Sequence, residues 1–446
     1  MKKLLLILGL FTLVSLTAGA TCNTISDEFD LQDIESDLSD CYELDNDIVI
    51  DLMNPWTPLG DASTPFTGSL NGNGHTINGL TIGGAAGIGL FGVTDGATIE
   101  NLIIDNAAVG GDCTADIENA GILAGQAIDT TISNVSVEGV ICGVSKIGGL
   151  VGYANGGTIT NTAAYVTVST YETVNLDNSD LIGGLVGQAD TTVISKSFVQ
   201  GDVNAETSKV MGGLVGEIIG ADAFSNYFEG DIIGTGNVGG LIGRTYGAVY
   251  DSYTKTNVSV MLTSSPAPSG GMVILSVLAE GTGSGVVGYL SGSYARVYNT
   301  YAVSDVVQGY QAGSIAGVIN TGYTADPTKT VYCNAALVDE IRAIKNPAKP
   351  GEATIYKVFN NQGSSTPVYG QSNWSKDGMA LNEDIFPLTV KITDAYSEGT
   401  AVAPANYVSL FNSYMSACGF NDNEVWNDAT TEEPYPTLID VGPSFD

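Results

Sequence analysis

One phrase recurs through the middle of this chain. Gly-Gly-Leu-Val-Gly stands at 148–152, 183–187 and 212–216, and Gly-Gly-Leu-Ile-Gly at 239–243. Weaker copies close at Gly92, Gly125, Gly288 and Gly317, so the closing glycines follow one another at intervals of 27 to 45 residues. Each core leads into a second phrase, such as TTISNVSVEGV at 130–140, TVISKSFVQGDV at 192–203 and AFSNYFEGDI at 223–232. These are short alternating runs rich in Val, Ile, Thr and Tyr, bounded by Gly, Asn and Asp, which is strand-and-turn chemistry. Helical periodicity is absent from 85 to 335.

A unit of this length with two or three short strands cannot bury its own apolar side, but stacked on a copy it can. Equivalent strands then pair in parallel at ~4.8 Å per coil. Leu150, Leu185, Leu214 and Leu241 become one interior ladder. The flanking glycines are expected at corners that need a positive φ or a close backbone approach. A propeller would need four strands and ~40–45 residues per blade, and these repeats are too short. The reading is all-β: a single parallel β-solenoid of roughly nine or ten coils, about 45 Å long at that strand spacing.

The ends differ from the middle, as solenoid caps must. Phe29, Leu31, Ile34 and Leu38 within 27–39 alternate with acids and predict a short N-terminal helical cap, and Tyr42 to Leu52 a lead-in strand. Residues 336–446 lack the repeat and read as a mixed C-terminal cap, with a helix near 404–418 and a final strand in Tyr-Pro-Thr-Leu-Ile-Asp-Val. The organisation expected is a signal peptide at 1–20, cap and lead-in coils at 21–84, the repeat array at 85–335 and the C-terminal cap or small domain at 336–446. A hairpin insertion is expected near 257–280, where apolar runs are broken by Pro266, Pro268, Gly270 and Gly271.

Lys2 and Lys3, the apolar run Leu4 to Leu16 and Ala18-Gly19-Ala20 make a secretory signal with cleavage after Ala20. The expected location is secreted, extracellular or at the cell surface, without membrane insertion after cleavage. Cys22 raises a lipoprotein alternative that Gly19-Ala20-Thr21 fits poorly. Six cysteines in an exported chain imply disulfides. Cys113 and Cys142 lie 29 residues apart, about one coil, so a bridge between neighbouring coils is expected there. Cys22–Cys41 is expected to clip the N-terminal cap, and Cys333–Cys418 to fasten the C-terminal region. Asn134, Asn257 and Asn373 stand in Asn-X-Ser/Thr sequons and are glycosylation candidates. The net charge of −34 opposes nucleic acid as a partner, because that affinity depends on Lys and Arg.

These cores resemble the GLUG motif of secreted bacterial and archaeal surface proteins. The stretch Phe66-Thr67-Gly68-Ser69-Leu70-Asn71-Gly72-Asn73-Gly74-His75-Thr76-Ile77 resembles the family's lead-in phrase. Trp56-Thr57-Pro58-Leu59-Gly60 and the closing Trp426 and Tyr435-Pro436-Thr437-Leu438 are similar to it as well. The resemblance implies a right-handed parallel β-solenoid on an exported, adhesin-like protein. Such repeats also accompany catalytic domains, and a fold does not by itself define function.

Candidate chemistry is sparse. His75 is the one imidazole and sits in a turn cluster, which reads as structural. Asp202, Asp231 and Asp305 hold equivalent places after the strands. They read as solvated turn acids, with Asp202 and Asp231 a calcium candidate that would still need further oxygens, and otherwise no cofactor is expected. Phe198, Tyr227, Tyr253 and Tyr301 fall in register as an aromatic column that reads as ladder packing rather than a sugar platform. The expected function is that of a non-catalytic surface or extracellular-matrix protein of adhesin type, binding a glycan, another cell or copies of itself. The alternative is a β-helix carbohydrate-active enzyme, a polysaccharide lyase or glycoside hydrolase, acting through carboxylates on one face.

Overall fold

In a computed structural model of the chain, the described residues are 22–53, 55–83, 86–111, 113, 117–170, 180–205, 210–260, 282–292, 294–320, 330–343, 354–356, 358, 373–383, 400–408, 411, 426–427 and 435–445. Each repeat supplies a short strand, a Gly-Leu corner, a second short strand and a longer strand segment. In one repeat these are Leu181–Gly183, Val186–Asp190 and the run Val193–Ser195, Phe198–Gln200 and Val203–Asn204. Copies stack into three sheets of 9, 8 and 21 strands, and their strand pairings are parallel. The protein is therefore all-β and of parallel β-helix type.

The leucine of each core lies at the centre of this stack. Leu150, Leu185, Leu214 and Leu241 are each 0% exposed. Their backbones form a continuous ladder: Leu150 N donates to Leu185 O, Leu185 N to Leu214 O and Leu214 N to Leu241 O, each at 2.9 Å. Apolar burial on this scale is the dominant favourable contribution to such a fold.

The core glycines serve close approach and not a left-handed backbone. A Cβ on Gly187 would meet the backbone of Lys146 and Ile147 at less than 3 Å, and one on Gly243 would meet Met211 N at 2.6 Å. None of these core glycines has positive φ. The left-handed corner is instead built from a column of other residues: Asn101, Asn134, Asn161, Lys196, Ser225, Asp251, Asn299 and Cys333, with φ between 49 and 57°. Asn and Asp tolerate that conformation best because their short polar side chains bond locally. Where it holds, Asn101 Nδ2 donates to Asn71 Oδ1 and Asn134 Nδ2 to Asn101 Oδ1.

The N-terminal cap is a helix α1 (Glu28–Asp33) continued by a 3₁₀ turn Ile34–Ser36, shorter than the expected 27–39. Asp27 caps it through Phe29 N and Asp30 N. Leu31 and Ile34 are buried, whereas Phe29, expected on the same apolar side, is 55% exposed. The helix acids fasten the lead-in loop: Glu28 Oε2 accepts from the N–H groups of Asp51, Leu52 and Met53, and Glu35 Oε2 from Gly60. The lead-in region Tyr42 to Leu52 forms two strands, Cys41–Leu44 and Ile48–Val49.

Cys22 is bonded to Cys41 and Cys113 to Cys142, with Cα separations of 4.8 and 5.4 Å. Cys333 is also disulfide-bonded, and Cys418, its expected partner, lies outside the described residues. The signal segment 1–20 and most of the 257–280 insertion lie outside them too, although Asn257 to Val260 continue the strand Ala248–Val260. Of the helix expected near 404–418, the described part shows a 3₁₀ turn at Pro404–Asn406 followed by helical residues Tyr407, Val408 and Phe411. Leu438 of the expected final strand forms an antiparallel bridge with Trp426.

Candidate functional site: a groove across successive coils

The large sheet bends where its long strands pass glycine. Gly201 and Gly230 have φ of 142 and 152°, and a side chain on either would run into the carbonyl of the neighbouring strand. A Cβ on Gly139 would meet the Ala107 carbonyl in the same way. The bend opens a shallow groove across the coils. One stretch, of 460 Å³, is lined by Asn106, Glu138, Val140, Tyr165, Thr167 and Gln200 among others. A second, of 240 Å³, is lined by Asp231, Lys255, Asn257, Val303, Ser304 and Asp305.

Strand register gives this groove its period. Glu138 pairs with Tyr165, Tyr165 with Gln200, Gln200 with Glu229, Glu229 with Lys255 and Lys255 with Val303. One wall residue therefore recurs per coil, at ~4.8 Å. Glu229 gathers the polar contacts: Lys255 Nζ lies 2.9 Å from its carboxylate, Gln200 Nε2 donates to it and Tyr253 Oη reaches it at 3.4 Å. Tyr165 is 40% exposed, stands edge-on to Phe198 and offers a ring to the groove. Partial burial, reinforced by the Glu138 charge, pushes its hydroxyl pKa up, so it remains an O–H donor at neutral pH.

Asp202 and Asp231 stand in neighbouring coils beside this groove, and the Asp202 carboxylate accepts the Asp231 backbone N–H at 3.1 Å. Asn257 does the same one coil on, accepting from Asp305 N. Each side chain thus caps the next coil's backbone. Calcium takes six to eight oxygens, and among the described residues no group of three or more His, Cys, Asp or Glu is placed to hold a metal. The Asp202 carboxylate thus serves as a turn cap for the next coil.

His75 lies away from the groove. Its Nδ1 is 3.3 Å from Asp47 Oδ1, on the surface. Asp47 also accepts the Thr76 N–H, which is the main cause holding its carboxyl below the usual range, with His75 adding to it. The aromatic column stacks as the register requires: Phe198–Tyr227, Tyr227–Tyr253 and Tyr253–Tyr301 have centroids 4.7, 4.8 and 5.0 Å apart and nearly parallel planes. Ring faces within it are taken up by the neighbouring rings, so the column cannot stack sugars.

A second column, Phe224–Tyr250–Tyr298–Tyr332, runs beside it at 4.8–5.0 Å spacing. Sequence reasoning missed it, although Phe224, Tyr250 and Tyr298 each lie three residues before a member of the first column. Among the sequon residues, Asn373 is buried and its amide is bonded to Asn334 and Val331 O, which leaves no room for a glycan. Asn134 and Asn257 are both engaged through their side-chain amides.

No family model matches the chain, so the GLUG resemblance rests on the motif residues themselves. The chain is 39% identical over 103 residues to halomucin of Haloquadratum walsbyi, covering 22% of this chain and 1% of that protein. It is 32% identical over 240 residues to an immunoglobulin A1 protease of Streptococcus pneumoniae serotype 4, covering 49% of this chain and 11% of that protein. A similar protease of Streptococcus sanguinis is 42% identical over 101 residues, 22% of this chain and 5% of the relative. The chain thus spans a small fraction of the length of each of these relatives. A solved structure of an IgA1 protease aligns over 90% of this chain and 28% of its own, at 15% identity and a TM-score of 0.44. Among the described residues no helix is long and apolar enough to cross a membrane.

Proposed function

We propose that this chain is a secreted surface or extracellular-matrix protein of adhesin type, a right-handed solenoid of about nine or ten coils whose groove receives an extended glycan. The observation that carries this reading is the groove's period: one side chain per coil, polar or aromatic from Glu138 to Lys255, at a spacing that suits successive sugars of a chain laid along the axis. Glu138, Asp202, Glu229, Asp231 and Asp305 line or flank it. Such a wall favours hydroxyl or ammonium groups and repels uronates or sulfates. The long, open shape suits binding along a polymer better than enclosing one reacting bond, because catalysis in water-excluded sites depends on enclosure. The partial relatives include halomucin and immunoglobulin A1 proteases, and the latter keep peptide cleavage as the competing reading.

A glycan array followed by titration of hits tests the proposal. Binding of neutral or amino-sugar polymers is expected, and Tyr165→Ala should weaken it about tenfold, a loss of ~1.4 kcal/mol. Incubation with immunoglobulin A1 and with polysaccharides should yield no cleaved product. Turnover abolished by one Asp or Glu replacement would establish an enzyme instead.

A further inference from the structure

In a solenoid each coil contacts its neighbours alone, and stability propagates coil by coil. Residues 435–445 depart from that rule. Tyr301 Oη donates to Pro436 O at 2.6 Å. Gly442 N donates to Lys196 O at 2.9 Å, and Gly442 lies against the Phe198 ring with φ 93°. Asn134 closes the far end with a reciprocal pair: Ser444 N donates to its Oδ1 and its Nδ2 donates to Ser444 O at 2.7 Å. Five coil steps separate Tyr301 from the strand of Asn134 in the register. At strand spacing that is about 24 Å. Eight residue steps from Pro436 to Ser444 span at most ~26–29 Å when fully extended. The segment therefore runs along the axis over the first aromatic column, turning at Asp440 and Gly442.

We propose that residues 435–445 are a releasable lengthwise clasp. By tying together coils that do not touch, the clasp makes those between Asn134 and Tyr301 open as one unit. Its near half is packed through Tyr435, Leu438 and Val441 against Tyr253, Tyr301 and Trp426, but in its far half, held through Gly442 and Ser444, Asp440, Ser444 and Phe445 are exposed, whereas each coil is held by continuous ladders. That far half therefore opens first, by local unfolding, and its release uncovers the buried ring of Phe198.

Native-state amide hydrogen exchange on the intact chain tests this directly. The Gly442 and Ser444 amides are expected to exchange at least tenfold faster than those of Leu150, Leu185 and Leu214, and the coils between Asn134 and Tyr301 to exchange as one block. Two variants then release the clasp. Removal of residues 440–446 deletes its far half, and Gly442→Val drives a side chain into Phe198. Both should keep the native far-ultraviolet spectrum, raise binding of an apolar fluorescent dye severalfold and split one denaturant transition into two. Clasp amides that exchange only with global unfolding, or coils that exchange independently in the intact chain, would overturn the proposal. A single unchanged transition in both variants would overturn it too. If either variant fails to fold, the exchange pattern of the intact chain decides.

Discussion

The residue after each left-handed corner points into the solenoid, and its chemistry changes along the array. The N-terminal coils place Leu102 and Val135 there; later coils place Thr162, Ser197, Asn226, Ser252, Thr300, Asn334 and Asn373, all buried. In the later coils Ser197, Asn226, Ser252, Asn334 and Asn373 serve the backbone of the coil before, whereas the Thr162 and Thr300 hydroxyls donate to Ser197 Oγ and Asn334 Oδ1 of the coil after. Ser197 N donates to Asn226 Oδ1, Asn226 N to Ser252 Oγ, Thr300 N to Asn334 Oδ1 and Asn334 N to Asn373 Oδ1. The amides also donate to carbonyls, Asn226 to Ile194 O and Asn334 to Val297 O. The apolar version gains transfer free energy and is indifferent to direction. The polar version gains less from burial but fixes register, since a slip would leave every group unpaired. One backbone path therefore supports two interiors.

A position where the two regions agree sets the scale. Leu214→Asp puts an unpaired charge into a site of 0% exposure, and a chain without native far-ultraviolet signal is expected. Unchanged melting would remove the register described above. Next, Asn226→Leu should leave Ser197 N–H and Ile194 C=O unpaired and cost roughly 2–5 kcal/mol in denaturant unfolding. A neutral result would mean that the polar ladder is packing alone. The reciprocal change, Val135→Asn, buries an amide between Leu102 and Thr162 and should cost about 1–3 kcal/mol in denaturant unfolding.

The smallest effect concerns the outside of the N-terminal coils. The Tyr153 hydroxyl donates to Asp190, and burial, followed by that bond, pushes its pKa up to about 12. A raised phenol pKa stabilises the fold below the unfolded value near 10, and that contribution is lost as pH rises through about 12. Burial also raises Tyr227, Tyr298 and Tyr407, so alkaline ultraviolet titration should show several late-ionising tyrosines, one fewer in Tyr153→Phe. Ionisation of Tyr153 together with free tyrosine would show that the Asp190 contact is not kept in solution.

Much of the architecture was legible because repetition writes it in the sequence. The spacing of Gly-Gly-Leu-Val-Gly predicted the buried leucine ladder, and the aromatic column followed from register. The role of the core glycines was legible only in part. A glycine that permits a positive φ and one that lets two backbones touch leave the same letter in the chain. The groove was less legible still, since Gly139, Gly201 and Gly230 look like turn residues until the sheet they bend exists.

By itself the sequence determined a parallel stack of β coils and the one-coil separation of Cys113 and Cys142. These depend on a period, and a period is local information copied along the chain. Only the tertiary structure decided which residues take the left-handed corner, where the interior turns polar and what covers the aromatic column. The bond between Asn134 and Ser444 joins residues 310 positions apart. A single contact of that separation repeats nowhere, so no pattern announces it until the coils have stacked and brought its two ends together.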